Sequence, residues 1–124
     1  MLKRVCLLTI IGMFLLTSTE SLAQEAVGDP TQGEAIYQKN CVKCHGLTGK
    51  GDGPEASSLM IPPANFQTQE SRSRSDSELR SAIVWGFAFS PMHGWLDRLT
   101  SGEIRSVVQY IRRIAPFQPQ TQSP

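Results

Sequence analysis

The chain has no excess of charge of either sign: 12 Lys and Arg stand against 11 Asp and Glu, a formal net charge of +1 over 124 residues. Nucleic acid and anionic membrane are therefore not implied as partners. The one charge-biased stretch, Glu70 to Asp76, mixes signs and reads as a solvated loop rather than an RNA-binding Arg/Ser tract. No segment alternates apolar and polar residues convincingly enough for a strand, and there are no internal repeats. The glycines at 46, 49, 51 and 53 fit neither GxxxxGK[ST] nor GxGxxG, so a phosphate loop is excluded and their use is conformational. Cysteine and histidine are scarce, at three and two.

Long apolar runs are also missing. The longest, Val5 to Leu16, falls short of the roughly 20 residues that cross a membrane. It follows Lys3 and Arg4 and leads to Ser21-Leu22-Ala23, the pattern of a secretory signal peptide over residues 1–23, cleaved after Ala23. Periplasmic or secreted export is the expectation, with an uncleaved membrane anchor as the alternative. Cys6 would leave with the peptide. What remains is long enough for one domain and too short for two: a domain over 24–115 and a tail over 116–124, Pro and Gln rich, expected to be disordered.

Three helices announce their starts. Asp29-Pro30-Thr31-Gln32 offers an N-cap and a proline at the first helical position. Ser75-Asp76-Ser77-Glu78 and Thr100-Ser101-Gly102-Glu103 are capping boxes, each followed by apolar residues at helical spacing and stopped by Gly86 and Pro116 respectively. Between them run two long connections, 46–69 and 87–99, rich in Gly and Pro; loops of that length usually have something to wrap. Three short helices hardly fill their own centre, so a large apolar cofactor in the middle would solve the packing problem.

The helix that begins at Pro30 runs into Cys41-Val42-Lys43-Cys44-His45. Spacing of i, i+3, i+4 puts the two thiols and the imidazole on one helical face. Structural zinc needs four Cys or His ligands, and beyond the motif only His93 remains. A thioredoxin-like CxxC needs a preceding strand and has no use for the histidine. Covalent haem attachment uses all three residues: Cys41 and Cys44 as thioethers to the haem vinyl groups and His45 as an iron ligand.

At this point the chain resembles the class I c-type cytochromes, in particular the small single-haem bacterial members. The resemblance rests on Gly33 and Tyr37 before the motif, CVKCH itself, the Gly-rich stretch ending Gly53-Pro54, Pro62-Pro63-Ala64-Asn65-Phe66, Ser90-Pro91-Met92, and Tyr110 in the last helix. It implies an all-α cytochrome c fold, short helices and long loops wrapped around one covalently bound haem c. It also implies that Met92 is the second axial ligand, against the rivals His93 and Met60. The Pro54 carbonyl would accept the Nδ1 proton of His45, and Gly33 and Tyr37 would pack against Tyr110. Trp85 and Trp95 read as pocket or core aromatics.

Iron held by His45 and Met92 has no open position, so the implied role is one-electron transfer rather than catalysis, and no small-molecule substrate is expected. The partners would be redox proteins or a membrane respiratory or dehydrogenase complex. Two alternatives stand beside the free carrier: a haem-bearing subunit of an exported oxidoreductase complex, or a haem sensor or ligand-binding protein if Met92 is labile.

Overall fold

The computed structural model describes residues 27–120; the signal-peptide reading over 1–23 and the last residues of the tail lie outside them. Asp29 caps α1 (Pro30–Asn40), its carboxylate accepting from Thr31 N at 2.8 Å while Pro30 fills a position that needs no donor. The helix breaks at Cys41 and resumes as α2 (Val42–His45). After a single 3-10 turn at Ala56–Ser58 come α3 (Gln69–Ser73), α4 (Asp76–Trp85) and α5 (Ser101–Ile114). Both expected capping boxes are formed, Ser75 with Glu78 and Thr100 with Glu103. The described residues contain no strand, only one antiparallel bridge between Gly86 and His93.

Helices α1 and α5 pack closely at Gly33. A Cβ on Gly33 would lie 1.9 Å from the Ser106 carbonyl oxygen, so only glycine permits the crossing. One turn on, Tyr37 meets Tyr110 with ring centroids 5.1 Å apart and planes tilted by 53°, the contact the resemblance implies. Ser106, buried between the helices, accepts from Asp29 N at 3.0 Å and reaches Gln32 Oε1 at 2.8 Å. The stripe Ile104, Val107, Val108, Ile111 of α5 closes against Leu79, Ile83 and Val84 of α4. The core thus sits under α5, and the loops 46–69 and 86–99 stand on either side of it.

One expectation changes. The stretch from Glu70, expected as loop, is helical to Ser73, because Thr68 caps the Ser71 amide at 3.2 Å. Residues 117–119 of the tail touch the rest of the fold: Gln118 N donates to Arg72 O at 3.1 Å, Gln69 Nε2 donates to Pro119 O at 3.1 Å, and Phe117 lies under the Arg112 guanidinium, 5.5 Å from its ring centroid. Its single aromatic residue finds a cationic lid, which sequence composition does not register.

Candidate haem site

The break between α1 and α2 builds the motif. Both Cys44 N and His45 N donate to the Cys41 carbonyl, at 3.2 and 2.9 Å, so the three residues share one tight turn. The chain then doubles back along α2. Gly51 N donates to His45 O at 2.9 Å, Gly53 N to Cys44 O at 3.1 Å and Glu55 N to Lys43 O at 2.9 Å, satisfying carbonyls that the end of a helix leaves open. Gly53 makes this return possible, since a Cβ there would meet Lys43 O at 2.2 Å.

Cys41 and His45 line an apolar cleft whose floor is Val107 and Ile111 of α5 and Ile83 of α4. Phe66, Met92, Trp95 and Leu99 also line it. Cys44 stays half-buried with a free thiol and does not line the cleft. Met92 is carried there by the 86–99 loop. Phe87 N donates to Met92 O at 2.9 Å, Met92 N donates to Ser90 Oγ at 3.1 Å, and Gly86 leaves room for a Met92 carbonyl that would lie 2.3 Å from a Cβ. The two rivals lie elsewhere. Met60 is 99% exposed, and His93 is exposed with Nδ1 2.9 Å from Gly94 O and its ring against Trp95.

The Pro54 expectation is corrected. His45 Nδ1 lies 3.2 Å from the Ala64 carbonyl, not that of Pro54. Because residues 51–55 are engaged along α2, the segment that reaches the imidazole is 62–66, which passes so close over Gly51 that a Cβ there would lie 2.6 Å from Pro63 O. A carbonyl can only accept, so the Nδ1 proton is on the ring and Nε2 keeps its lone pair. Phe66 in the same segment stacks on the imidazole. Neither Ala64 nor Phe66 was assigned a role toward His45 from sequence, although Pro62 to Phe66 stood out as a block.

Every titratable group lining the cleft is driven toward its neutral form. Burial pushes the Cys41 thiol up to about 12, with Cys44 adding to the rise. Burial lowers the His45 imidazole, against the Ala64 hydrogen bond, and burial raises the Tyr37 phenol, whose hydroxyl donates to Gly46 O at 2.8 Å. A thiol-disulfide exchanger needs the opposite, a depressed thiol. What the cleft offers is an apolar slot with the His45 imidazole, the Met92 thioether and the Cys41 thiol among its walls, and the Cys44 thiol one helical turn from Cys41 outside the lining.

Known proteins complete the picture. A chain of the Kuenenia stuttgartiensis reducing HAO-like protein complex Kustc0457/Kustc0458 matches with 26% identity and a TM-score of 0.62, over 75% of this chain and 47% of that one. This chain therefore spans about half the length of that relative. The KustC0563 c-type cytochrome matches in fold, with 24% identity and a TM-score of 0.57 over 66% of this chain and 95% of its own. A comparison with curated proteins gave no match. The cytochrome c family model matches residues 30–115, from the first residue of α1 to the residue after α5, and the chain belongs to the cytochrome c family.

Proposed function

We propose that this protein is an exported cytochrome with a single haem c that carries one electron at a time between redox partners. The observation that carries the reading is the joint placement of Cys41, His45 and Met92 on one apolar cleft. These residues fit the group the family implies. Cys41 and Cys44 would hold it as thioethers, while His45 and Met92 would ligate its iron. Once bound, haem c supplies a one-electron Fe(III)/Fe(II) couple. The protein's own part is to keep water out with Phe66, Trp95, Leu99 and the core floor, and to hold the imidazole neutral and oriented through Ala64.

Contact with a partner needs a surface that forms and releases quickly. The Met92 loop supports that use: from Trp85 to Leu96 it carries no Lys, Arg, Asp or Glu, and Trp85, Phe87, Phe89 and Leu96 are exposed. Among the described residues no helix is long and apolar enough to cross a membrane. A second reading, a fixed electron-transfer subunit of an exported assembly, is favoured by the likeness to a chain of a multi-component complex.

Acid-acetone extraction and denaturing electrophoresis of protein made with a haem-attachment system test the cofactor. Haem should stay with the chain, at one per polypeptide by pyridine haemochrome, and free extraction would overturn the reading. Gel filtration of the native extract separates carrier from subunit: a small monomer favours the first, a large co-eluting assembly the second.

A further inference from the structure

Gln67 lies one residue beyond Phe66 and ties two distant parts of the chain together. Its side-chain amide donates to Thr48 O at 2.6 Å and to Ile114 O at 2.9 Å. Thr48 belongs to the loop that leaves the CVKCH turn; Ile114 is the last residue of α5, whose carbonyl has no partner within the helix. The backbone around it is fastened as well: Phe66 N donates to Gly49 O at 2.6 Å and Gln67 N to Asn65 Oδ1 at 2.9 Å. Phe66 and Ile114 both press on Gly49, where a Cβ would meet them at 2.7 and 3.2 Å. The segment so fastened is the one that presents the Ala64 carbonyl to His45 Nδ1 and the Phe66 ring to its face.

We infer that Gln67 is a positioning residue for His45: by bridging Thr48 and Ile114 it holds Ala64 and Phe66 against the imidazole and thereby sets the ligand strength of Nε2. The inference rests on the haem reading of the site. A primary amide has two protons, so one side chain satisfies both carbonyls at once. Glutamate has the same shape and no proton to give at neutral pH; leucine keeps bulk alone. A hydrogen bond from the ring N–H to a carbonyl makes the other nitrogen a better donor, which favours ferric iron. Loosening the bond therefore raises the reduction potential.

The test compares holo-protein of wild type, Gln67→Glu and Gln67→Leu with Gln69→Ala, which removes only a tail contact to Pro119. In both Gln67 variants the His45 Nδ1 proton should exchange with D2O about tenfold faster by NMR, as befits the loss of about one hydrogen bond. Their midpoint potentials should rise, while haem remains covalently attached and the methionine near-infrared band persists. Gln69→Ala should change neither exchange nor potential. If the Gln67 variants melt at lower temperature yet keep wild-type exchange and potential, Gln67 is only a structural clasp and the inference is overturned. Should Gln67→Leu fail to fold, the isosteric Gln67→Glu decides by the same two readouts. Free extraction of haem from wild type would sink the site reading and this inference with it; an intact wild-type site with unmoved variants would sink this inference alone.

Discussion

The rings of His45 and Phe66 lie face to face, centroids 4.7 Å apart and planes 14° from parallel. The stack couples the CVKCH turn to the 62–66 segment, and Phe66 also lines the cleft. Truncating it removes both the wall and the ring that restrains the imidazole. Phe66→Ala should lower the stability of the holo-protein by roughly 2–4 kcal/mol, near the lower end for a buried aromatic because Phe66 is only partly covered. Phe66→Leu should lose clearly less. Denaturant titration followed by Soret absorbance reads both, and equal stability of Phe66→Ala and wild type would refute the coupling.

The α1–α5 crossing gives a paired prediction about glycines. Gly33→Ala must displace backbone, since its Cβ would lie 1.9 Å from Ser106 O, and should destabilise by about 2–4 kcal/mol, at or above the usual range for overpacking. Gly102 sits in the first turn of α5 with nothing nearer to a Cβ than Arg105 Nη2 at 3.8 Å. Gly102→Ala should therefore stabilise by about 0.5–1 kcal/mol through helix propensity and a less flexible unfolded chain. Thermal melts that move both variants in the same direction would contradict the crossing geometry.

Much of this was legible because it is local. Asp29, Ser75 and Thr100 begin helices through contacts within three residues, and the motif's turn is one residue's carbonyl shared by two amides. The pairing of Gly33 and Tyr37 with Tyr110 came from resemblance; the fold shows the Tyr37–Tyr110 contact and sets Gly33 against Ser106 of the same helix. The rest was not legible because it depends on where loops pass. Whether Pro54 or Ala64 faces His45 is decided by the close approach of Pro63 to Gly51, and the bond from Gln67 to Ile114 spans 47 positions. Helix α3 and the tail hold each other through Gln69, Arg72 and Gln118, so neither is visible while the other is read alone.

The capping boxes should show in the acid limb of stability. Glu103 accepts from the Thr100 backbone and hydroxyl, both at 2.8 Å, and these bonds hold its carboxyl below the ordinary value of 4.5. A carboxyl depressed in the folded state contributes stability above its unfolded value and loses it as pH falls through the folded one. Glu103→Gln should melt lower than wild type at pH 7, and the gap should narrow from just above pH 4.5 downward. A gap independent of pH would mean that the carboxylate charge does not matter.

Phe89 is wholly exposed and its φ is +60°, a left-handed conformation unfavourable for an aromatic residue. A side chain that gains no packing and strains its backbone points to a use outside the monomer fold. Phe89→Gly should raise stability by about 1 kcal/mol by relieving the strain. If the uncharged stretch from Trp85 to Leu96 is the contact surface, the same variant should slow electron self-exchange between ferric and ferrous protein severalfold by NMR line broadening. The wild-type rate should depend weakly on ionic strength, because the stretch brings no charge to the encounter. A strong salt dependence, or an unchanged rate in Phe89→Gly, would place the contact elsewhere.

Met92 decides between a carrier and a ligand-binding protein. It shares the cleft with His45, whereas Met60 is exposed and His93 turns to Gly94 and Trp95. Methionine bound to ferric haem gives a weak near-infrared charge-transfer band that bis-histidine and histidine-water coordination lack, so oxidised wild type should show it. Met92→Ala should abolish the band, lower the reduction potential because thioether ligation favours ferrous iron, and admit carbon monoxide, with haem still attached through Cys41 and Cys44. Met60→Leu and His93→Ala should keep the band, and His93→Ala should lose only the contacts with Gly94 and Trp95. A band that survives Met92→Ala and vanishes with Met60→Leu would reassign the ligand. A wild type without the band that binds carbon monoxide directly would instead make this protein a haem sensor, since an open iron position selects for ligand binding over simple electron exchange.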